Sequence, residues 1–281
     1  AGAVGEPHQH RGARAQPHLA RAGRRAAHRR RGSRQRGPRR RGAARRRLRC
    51  DRLAGRRGRI VTGWHVAPSG PLTGELAVNG DKSVSHRALL IGALCDGPVE
   101  VEGWGDSADT RATLEAVRAL GVQVDDHGHG RLTVHGVGLH GLRPPVGAID
   151  VRNAGTLMRL LTGICAMQPG GVFTLDGDDS IRTRPMERVA APLRAMGAAI
   201  ETTNGRPPVT VTGGAALHGQ VHEMEVSSAQ VKSAILLAGL GADGPTTVIE
   251  GTPTRDHTER MLRAAGADLR ARGGRVELTP G

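Results

Sequence analysis

The segment TLMRLLTGICAM (156–167) is apolar on almost every side of the helix that its composition favours. Two further segments share this character, SVSHRALLIGALC (83–95) and QVKSAILLAGLGA (230–242). A helix that has no polar face is buried on all sides. The three segments therefore predict a domain whose centre is made of helices.

The elements around these three helices recur in one order, which marks an internal repeat. Each apolar helix precedes a strand, an amphipathic helix and two short strands. The amphipathic helices are predicted at 109–120, 184–196 and 256–265, and they end in RALG (118–121), RAMG (194–197) and RAAG (263–266). The clearest strands alternate apolar and polar residues, and they lie at 97–103, 131–136, 170–177, 208–214, 244–251 and 275–281.

The repeat predicts an α/β fold of three β-α-β-α-β-β units, at about 80–150, 151–220 and 221–281. We expect the apolar helices to pack in parallel at the centre, with the sheets and amphipathic helices around them, which is an inside-out arrangement. An ordinary α/β sandwich is the alternative.

The net charge of +15 is distributed unevenly over the 281 residues. Residues 1–60 hold 21 arginines against Glu6 and Asp51, whereas the rest of the chain is mildly acidic. We expect 1–62 to be a disordered Arg-rich segment, because this composition buries too little apolar surface to offset chain entropy. It is interpreted as a translation artefact, as a tail without a specific role, or as an electrostatic arm for nucleic acid or an anionic membrane.

Composition excludes several classes of protein for the remaining residues. With two Trp, one Phe and no Tyr in the chain, base stacking is improbable, so nucleic-acid binding is expected only non-specifically through 1–60. Cys50, Cys95 and Cys165 lie far apart, which argues against a disulfide framework or a metal site and favours the cytoplasm. No apolar run reaches the length of a membrane span, so a membrane partner is not expected.

A short polar turn precedes each apolar helix: GDKSVSHR (80–87), RNAGTLMR (152–159) and VSSAQVKS (226–233). If the helices are parallel, these turns meet at one end, where three positive helix termini form an anion site. Lys82, which is one of only two lysines, adds a charge there together with Arg87 and Arg159. In the alternative interpretation Ser83 and Thr156 are plain N-caps, Gly155 is only a turn residue and Arg87 is a solvated charge.

Five motifs together resemble one enzyme family: GDKSVSHRALL (80–90), NAGTLMR (153–159), RTRPM (182–186), VSSAQVKSA (226–234) and TRDHTERML (254–262). From about residue 64 to 281 the chain is similar to 5-enolpyruvylshikimate-3-phosphate synthases, the 3-phosphoshikimate 1-carboxyvinyltransferases. The sister family, UDP-N-acetylglucosamine 1-carboxyvinyltransferase, is the alternative. It is less similar, because its first turn has Lys-Asn where this chain has Lys82-Ser83.

The resemblance implies transfer of the enolpyruvyl group of phosphoenolpyruvate to the 5-hydroxyl of shikimate 3-phosphate, by addition and elimination, with no metal or organic cofactor. Lys82 would contact both substrates. The resemblance assigns the other contacts as follows: Ser83, Arg87, Ser228, Ala229, Gln230 and Arg255 to shikimate 3-phosphate, Gly155 and Arg184 to phosphoenolpyruvate, and Asn153 and Thr156 to the shape of the turn. Gln230 could reach both ligands, and Gly155 leaves room for glyphosate as an inhibitor.

The resemblance also implies an enolpyruvyl transferase-like domain, 80–281, that binds shikimate 3-phosphate, preceded by a first-strand region, 63–79. That region packs on a second domain, which is expected outside this sequence together with the family's acid–base groups. We therefore expect weak ligand binding and no turnover from this chain, and Asp81, His86 and Glu187 are candidates only by proximity. A non-catalytic anion-binding domain and a nucleic-acid-binding protein remain alternatives.

Overall fold

The computed structural model describes residues 51–54, 60–65, 71 and 73–281, which divide into two compact units at Gly74. In the first unit, strand β1 (Asp51–Ala54) pairs antiparallel with β2 (Ile60–His65). Most of the segment expected to be disordered, 1–62, lies outside the described residues. The strands at 51–54 and 60–62 differ from that expectation, and β-branched and aromatic residues in IVTGWH (60–65) favour them.

The second unit, Glu75–Gly281, contains the three repeats. The first consists of α1 (Lys82–Ala93), β3 (Pro98–Val101), α2 (Ala108–Ala119), β4 (Val124–Asp126) and β5 (Leu132–His135). The second consists of β6 (Ile149–Asp150), α3 (Gly155–Ala166), β7 (Val172–Asp176), α4 (Asp179–Arg182), α5 (Glu187–Ala195), β8 (Ala199–Thr203) and β9 (Arg206–Thr212). The third consists of β10 (Val221–Met224), α6 (Ala229–Gly239), β11 (Thr246–Glu250), α7 (His257–Ala264), β12 (Asp268–Arg272) and β13 (Arg275–Thr279).

Each repeat has its own sheet, with strand order β3-β5-β4, β6-β7-β9-β8 or β10-β11-β13-β12. In the second and third sheets a leading strand runs parallel to the next strand of the repeat, and the other pairs are antiparallel. The predicted β-α-β-α-β-β order is confirmed for these two repeats, with the short α4 added. The first repeat differs, because residues 73–81 contain no strand. Of the expected first-strand region, 63–79, residues 63–65 belong to β2, and 66–70 and 72 lie outside the described residues.

Helices α1, α3 and α6 form the centre of the second unit, as their apolar composition predicts. Most residues of each helix are buried, including every residue of α3 from Leu160 to Ala166. Helices α3 and α6 approach at backbone distance, because a Cβ added to Gly163 would lie 2.2 Å from the carbonyl oxygen of Ala234. A glycine in the middle of α3 therefore allows the two helices to pack closely.

The repeated glycines that end the amphipathic helices have one physical role. Gly121, Gly197 and Gly266 have φ values of 91°, 103° and 98°, a left-handed conformation that favours glycine. The amide after each glycine donates to a carbonyl five residues earlier: Val122 to Val117, Ala198 to Leu193 and Ala267 to Leu262, at 3.2, 3.0 and 3.0 Å. Each of the three helices thus ends in a Schellman motif, which explains the repeated Arg-Ala-x-Gly signature.

Cys95 and Cys165 are free thiols, and Cys50 lies outside the described residues. None of the described helices has the length and apolar character needed to cross a membrane.

Candidate functional site

The N-terminal ends of the three central helices differ in how they are capped. The Asp81 carboxylate accepts a 2.8 Å hydrogen bond from the Val84 amide and so caps α1. The N-cap residues of α3 and α6 are Ala154 and Ser228, and neither side chain makes a capping bond. The alternative interpretation of Ser83 and Thr156 as N-caps is therefore wrong, since both lie inside their helices. The first amides of α3 and α6 stay without a side-chain cap, as an anion site requires.

Side chains join the ends of α3 and α6 directly. Arg159 Nη1 donates to Gln230 Oε1 at 2.6 Å, and Gln230 Nε2 donates to Thr156 Oγ1 at 2.9 Å. Burial lowers the pKa of Arg159, and the positive charges of Arg184 and Arg188 lower it further. Three guanidinium groups thus gather where two uncapped helix termini begin, which makes this region electropositive.

Gly155 lies beneath two of these guanidinium groups. A Cβ at this position would lie 2.6 Å from Arg184 Nη1 and 3.0 Å from Arg159 Nη1. Arg184 also donates a hydrogen bond to Asn153 Oδ1, and that bond fixes the guanidinium over the turn. The structure therefore brings Asn153, Gly155 and Arg184 together, and their assigned roles in ligand binding stay predictions. Glycine is the residue that fits at 155 without moving either arginine.

The N-terminal end of α1 forms a second polar corner. Arg255, which is 172 residues away in sequence, donates from Nη1 to Ser83 Oγ at 3.2 Å. Lys82 is 57% exposed, and its ammonium lies 2.8 Å from a carboxylate oxygen of Asp109. The predicted residues Lys82, Ser83 and Arg255 thus occupy one corner, although Arg255 belongs to the third repeat.

Arg87 is buried at the junction of α1, α6 and α7. It is only 4% exposed, so the alternative of a solvated charge is wrong. Its guanidinium donates to Thr258 Oγ1 at 2.6 Å, Ser233 Oγ at 2.9 Å and the Ser83 carbonyl at 2.9 Å. Arg87 thus ties α1 to α6 and α7 behind Ser83, and its contact with a ligand stays a prediction.

The three candidate acids or bases, Asp81, His86 and Glu187, make structural contacts. His86 is fully buried beside Thr113, and burial lowers its pKa to about 4, so it is neutral near pH 7. A hydrogen bond from the Val84 amide lowers the pKa of Asp81. The Arg194 guanidinium lowers the pKa of Glu187.

Sequence reasoning missed three residues near the site. Asp109 at the start of α2 faces Lys82, and Arg188 in α5 adds to the charge around Arg159. Lys232, which the turn motif includes, is buried between Glu250 and Glu259 and faces away from solvent. In the sequence, only the helical spacing of apolar residues around Lys232 indicated that this lysine is buried. The pairings with Asp109 and the two glutamates had no sequence signal.

Residues 73–281 contain no cluster of three or more His, Cys, Asp or Glu side chains placed to hold a metal ion.

Comparison with known proteins agrees with this architecture. The family described as EPSP synthase (3-phosphoshikimate 1-carboxyvinyltransferase) matches residues 66–281. The 3-phosphoshikimate 1-carboxyvinyltransferase of Alkalilimnicola ehrlichii is 54% identical over 219 residues, covering 78% of this chain and 49% of that protein. The enzyme of the same name from Methylococcus capsulatus is 50% identical over 217 residues, covering 77% of this chain and 49% of that protein.

A solved structure of EPSP synthase from Acinetobacter baumannii superposes with a TM-score of 0.72 at 50% identity, and the match covers 74% of this chain and 47% of that structure. The chain thus spans about half the length of the curated relatives it matches. The fold is that of the EPSP synthase domain, and the sister family of UDP-N-acetylglucosamine transferases is not favoured. These matches establish that the chain belongs to the EPSP synthase (3-phosphoshikimate 1-carboxyvinyltransferase) family.

Proposed function

We propose that this chain is the shikimate 3-phosphate-binding part of an enzyme that transfers the enolpyruvyl group of phosphoenolpyruvate to the 5-hydroxyl of shikimate 3-phosphate. The observation that carries the proposal is the convergence of cations and uncapped helix termini at one end of the domain. Both substrates are polyanions, and helix N-termini with adjacent arginines bind such groups.

The corner at α1 is proposed to bind the phosphate of shikimate 3-phosphate. Ser83 and Arg255 already share a hydrogen bond there, so a phosphate oxygen can accept from both when it replaces that bond. Ser228, Ala229 and Gln230 at the start of α6 are proposed to complete the binding of the same ligand. Lys82 has a compact ammonium that can serve two anions at once, and the adjacent Asp109 carboxylate orients it.

The region around Gly155 is proposed to bind phosphoenolpyruvate. Arg184 offers a planar guanidinium that suits a carboxylate or phosphate, and Asn153 holds it in place. Gln230 bonds to both Arg159 and Thr156, so it lies at the boundary between the two proposed subsites. The space above Gly155 is also proposed to admit glyphosate, and a cytoplasmic location is part of the same proposal.

In the proposed reaction, the 5-hydroxyl oxygen adds to C2 of phosphoenolpyruvate and its proton leaves, while C3 gains a proton. Loss of a proton from C3 and of inorganic phosphate from C2 then gives the enolpyruvyl ether. Lys82 and Arg184 are proposed to stabilise the phosphate and carboxylate charges as oriented donors. We propose binding without turnover for this chain alone, because Asp81, His86 and Glu187 are engaged in structural contacts.

Calorimetric titration of the 281-residue chain with shikimate 3-phosphate tests the proposal. We expect binding that Lys82→Ala weakens by at least about tenfold, since a charge-assisted contact contributes about 1.5–3 kcal/mol. Arg131→Ala, at an exposed turn of the first sheet, is the control and is expected to bind as the unchanged chain does. No binding by the folded chain, or preferential binding of UDP-N-acetylglucosamine, would contradict the proposal.

A further inference from the structure

Lys232 forms a buried ion triad that the proposed substrate contacts do not use. Its ammonium lies 2.6 Å from Glu250 Oε2 and 2.6 Å from Glu259 Oε1, and the three side chains are 2%, 3% and 2% exposed. Lys232 therefore cannot touch a ligand at the surface. Burying these charges costs desolvation free energy. The triad joins the end of β11, through Glu250, to Lys232 of α6 and Glu259 of α7.

Glu250 connects the buried triad to the loop that follows β11, residues 251–256. Its Oε1 atom accepts a 2.5 Å hydrogen bond from the hydroxyl of Thr254, while its Oε2 atom is held by Lys232. At the other side of the loop the Thr252 amide donates to Ser227 Oγ at 3.1 Å. The loop is thus attached both to the buried triad and to the turn that begins α6.

Arg255 directly follows Thr254, so the attachment of the loop restrains the backbone from which the exposed Arg255 side chain extends. Its side chain is exposed and reaches Ser83 Oγ at 3.2 Å. A long exposed arginine loses considerable conformational entropy when one geometry is required. A backbone that is fixed one residue earlier reduces the number of orientations that Arg255 can adopt.

We infer that the contacts from Lys232 through Glu250 to Thr254 hold Arg255 in position to bind the phosphate of shikimate 3-phosphate. This inference rests on the proposed function, because it assumes that the α1 corner is the phosphate subsite. Thr254 acts through Arg255 and not by touching the ligand. Among these three residues, only the Thr254 hydroxyl can be removed without leaving a buried charge unpaired.

The test uses Thr254→Val, Thr254→Ser and Arg255→Ala in the 281-residue chain, titrated calorimetrically with shikimate 3-phosphate and with shikimate, which lacks the phosphate. Thr254→Val is expected to weaken shikimate 3-phosphate binding by about fivefold, because only the restraint on Arg255 is lost and no contact with the ligand is removed. Shikimate binding is expected to stay unchanged. Thr254→Ser keeps the hydroxyl and is expected to restore normal affinity.

A double-mutant cycle identifies the route of the effect. In the Arg255→Ala background, Thr254→Val is expected to cause no additional loss of shikimate 3-phosphate affinity. Thr133→Val is the matched control, because the Thr133 hydroxyl donates to Glu100 Oε1 at 3.0 Å in the first sheet. An equal loss in both backgrounds, an equal loss for shikimate, or a loss with Thr133→Val would overturn the inference.

Hydrogen–deuterium exchange of residues 251–256 in the unliganded chain separates this inference from the proposed function. Faster exchange in Thr254→Val than in Thr254→Ser supports the attachment of the loop, whether or not the chain binds a ligand. Equal exchange overturns it. If the unchanged chain binds no shikimate 3-phosphate, the proposed function fails, and the exchange result still decides the role of Thr254.

Discussion

Lys82 and Lys232 are the only lysines of the chain, and both lie within the first four residues of a central helix. Lys82 is 57% exposed beside one carboxylate, whereas Lys232 is 2% exposed between two. Two glycines of α3 differ in the same way. Gly155 lies under movable arginine side chains at the helix end, and Gly163 faces the backbone of α6.

This comparison separates the polar ends of the central helices from their packed interior. Residues of the same type form the proposed ligand site at the ends and provide packing or charge compensation inside. The energetic consequence of a substitution should therefore depend on position along the helix more than on residue type. Four substitutions or conditions test this difference through the free energy of unfolding, measured by urea denaturation.

The largest expected effect is that of Lys232→Met. It removes the cation from between Glu250 and Glu259, so two buried carboxylates lose their partner. Breaking a buried ion pair in this way costs about 3–5 kcal/mol. Lys82→Met is the matched control and is expected to cost less than about 1 kcal/mol, because its ion pair is exposed. Similar losses for the two lysines would remove the distinction between the regions.

The second effect concerns pH and the buried His86. Because burial lowers the pKa of His86 from 6.5 to about 4, the unfolded chain binds a proton more readily than the folded chain in this interval. The stability that neutral His86 contributes is present above pH 6.5 and is lost as the pH falls towards 4, by about 3 kcal/mol. The measurement compares the unchanged chain with His86→Gln at pH 7 and pH 4.5. A loss on acidification of the same size in both chains would contradict this assignment.

The third effect is that of Gly163→Ala. The new methyl group meets the Ala234 carbonyl oxygen at 2.2 Å, so α3 and α6 must separate. Overpacking of this kind costs about 1–3 kcal/mol. Gly244→Ala is the control, since nothing lies within 4 Å of the added carbon there. If Gly163→Ala is as stable as the control, the close approach of the two helices is not required.

The smallest effect is expected for Gly155→Ala in the same helix. The added methyl group meets Arg184 Nη1 at 2.6 Å, but a guanidinium at the end of a flexible side chain can move away. We expect the free energy of unfolding to change by less than about 1 kcal/mol, because a side-chain end can shift without separating the two helices. A loss as large as that of Gly163→Ala would show that the helix end is packed as rigidly as the middle.

The fold was predictable because its signals are local and repeated. Apolar residues around α1, α3 and α6 predicted burial, and the Arg-Ala-x-Gly turns predicted three equivalent helix ends. The position of α4 was not foreseen, because four residues with one buried side chain give no periodic pattern. The described residues 73–79 of the expected first-strand region, 63–79, form no strand, since pairing with a neighbouring strand is not a local property.

The positions of the candidate site residues at helix ends were predictable, whereas their contacts were not, and their roles in binding stay predictions. The polar turns singled out Lys82, Gly155 and Gln230, and the structure places each at a helix end. The contact of Arg255 with Ser83 joins residues that are 172 positions apart, which no spacing rule could indicate. The burial of Arg87 likewise depends on two partners supplied by other elements, the hydroxyls of Ser233 in α6 and Thr258 in α7.

The sequence by itself determined which segments are buried, where the amphipathic helices end and which turns carry polar groups, because periodicity and turn chemistry act over a few residues. Only the tertiary structure decided which of the two lysines faces solvent and which charges share a partner. Those outcomes depend on distances between elements of different repeats, and such distances are fixed when the three helices pack together.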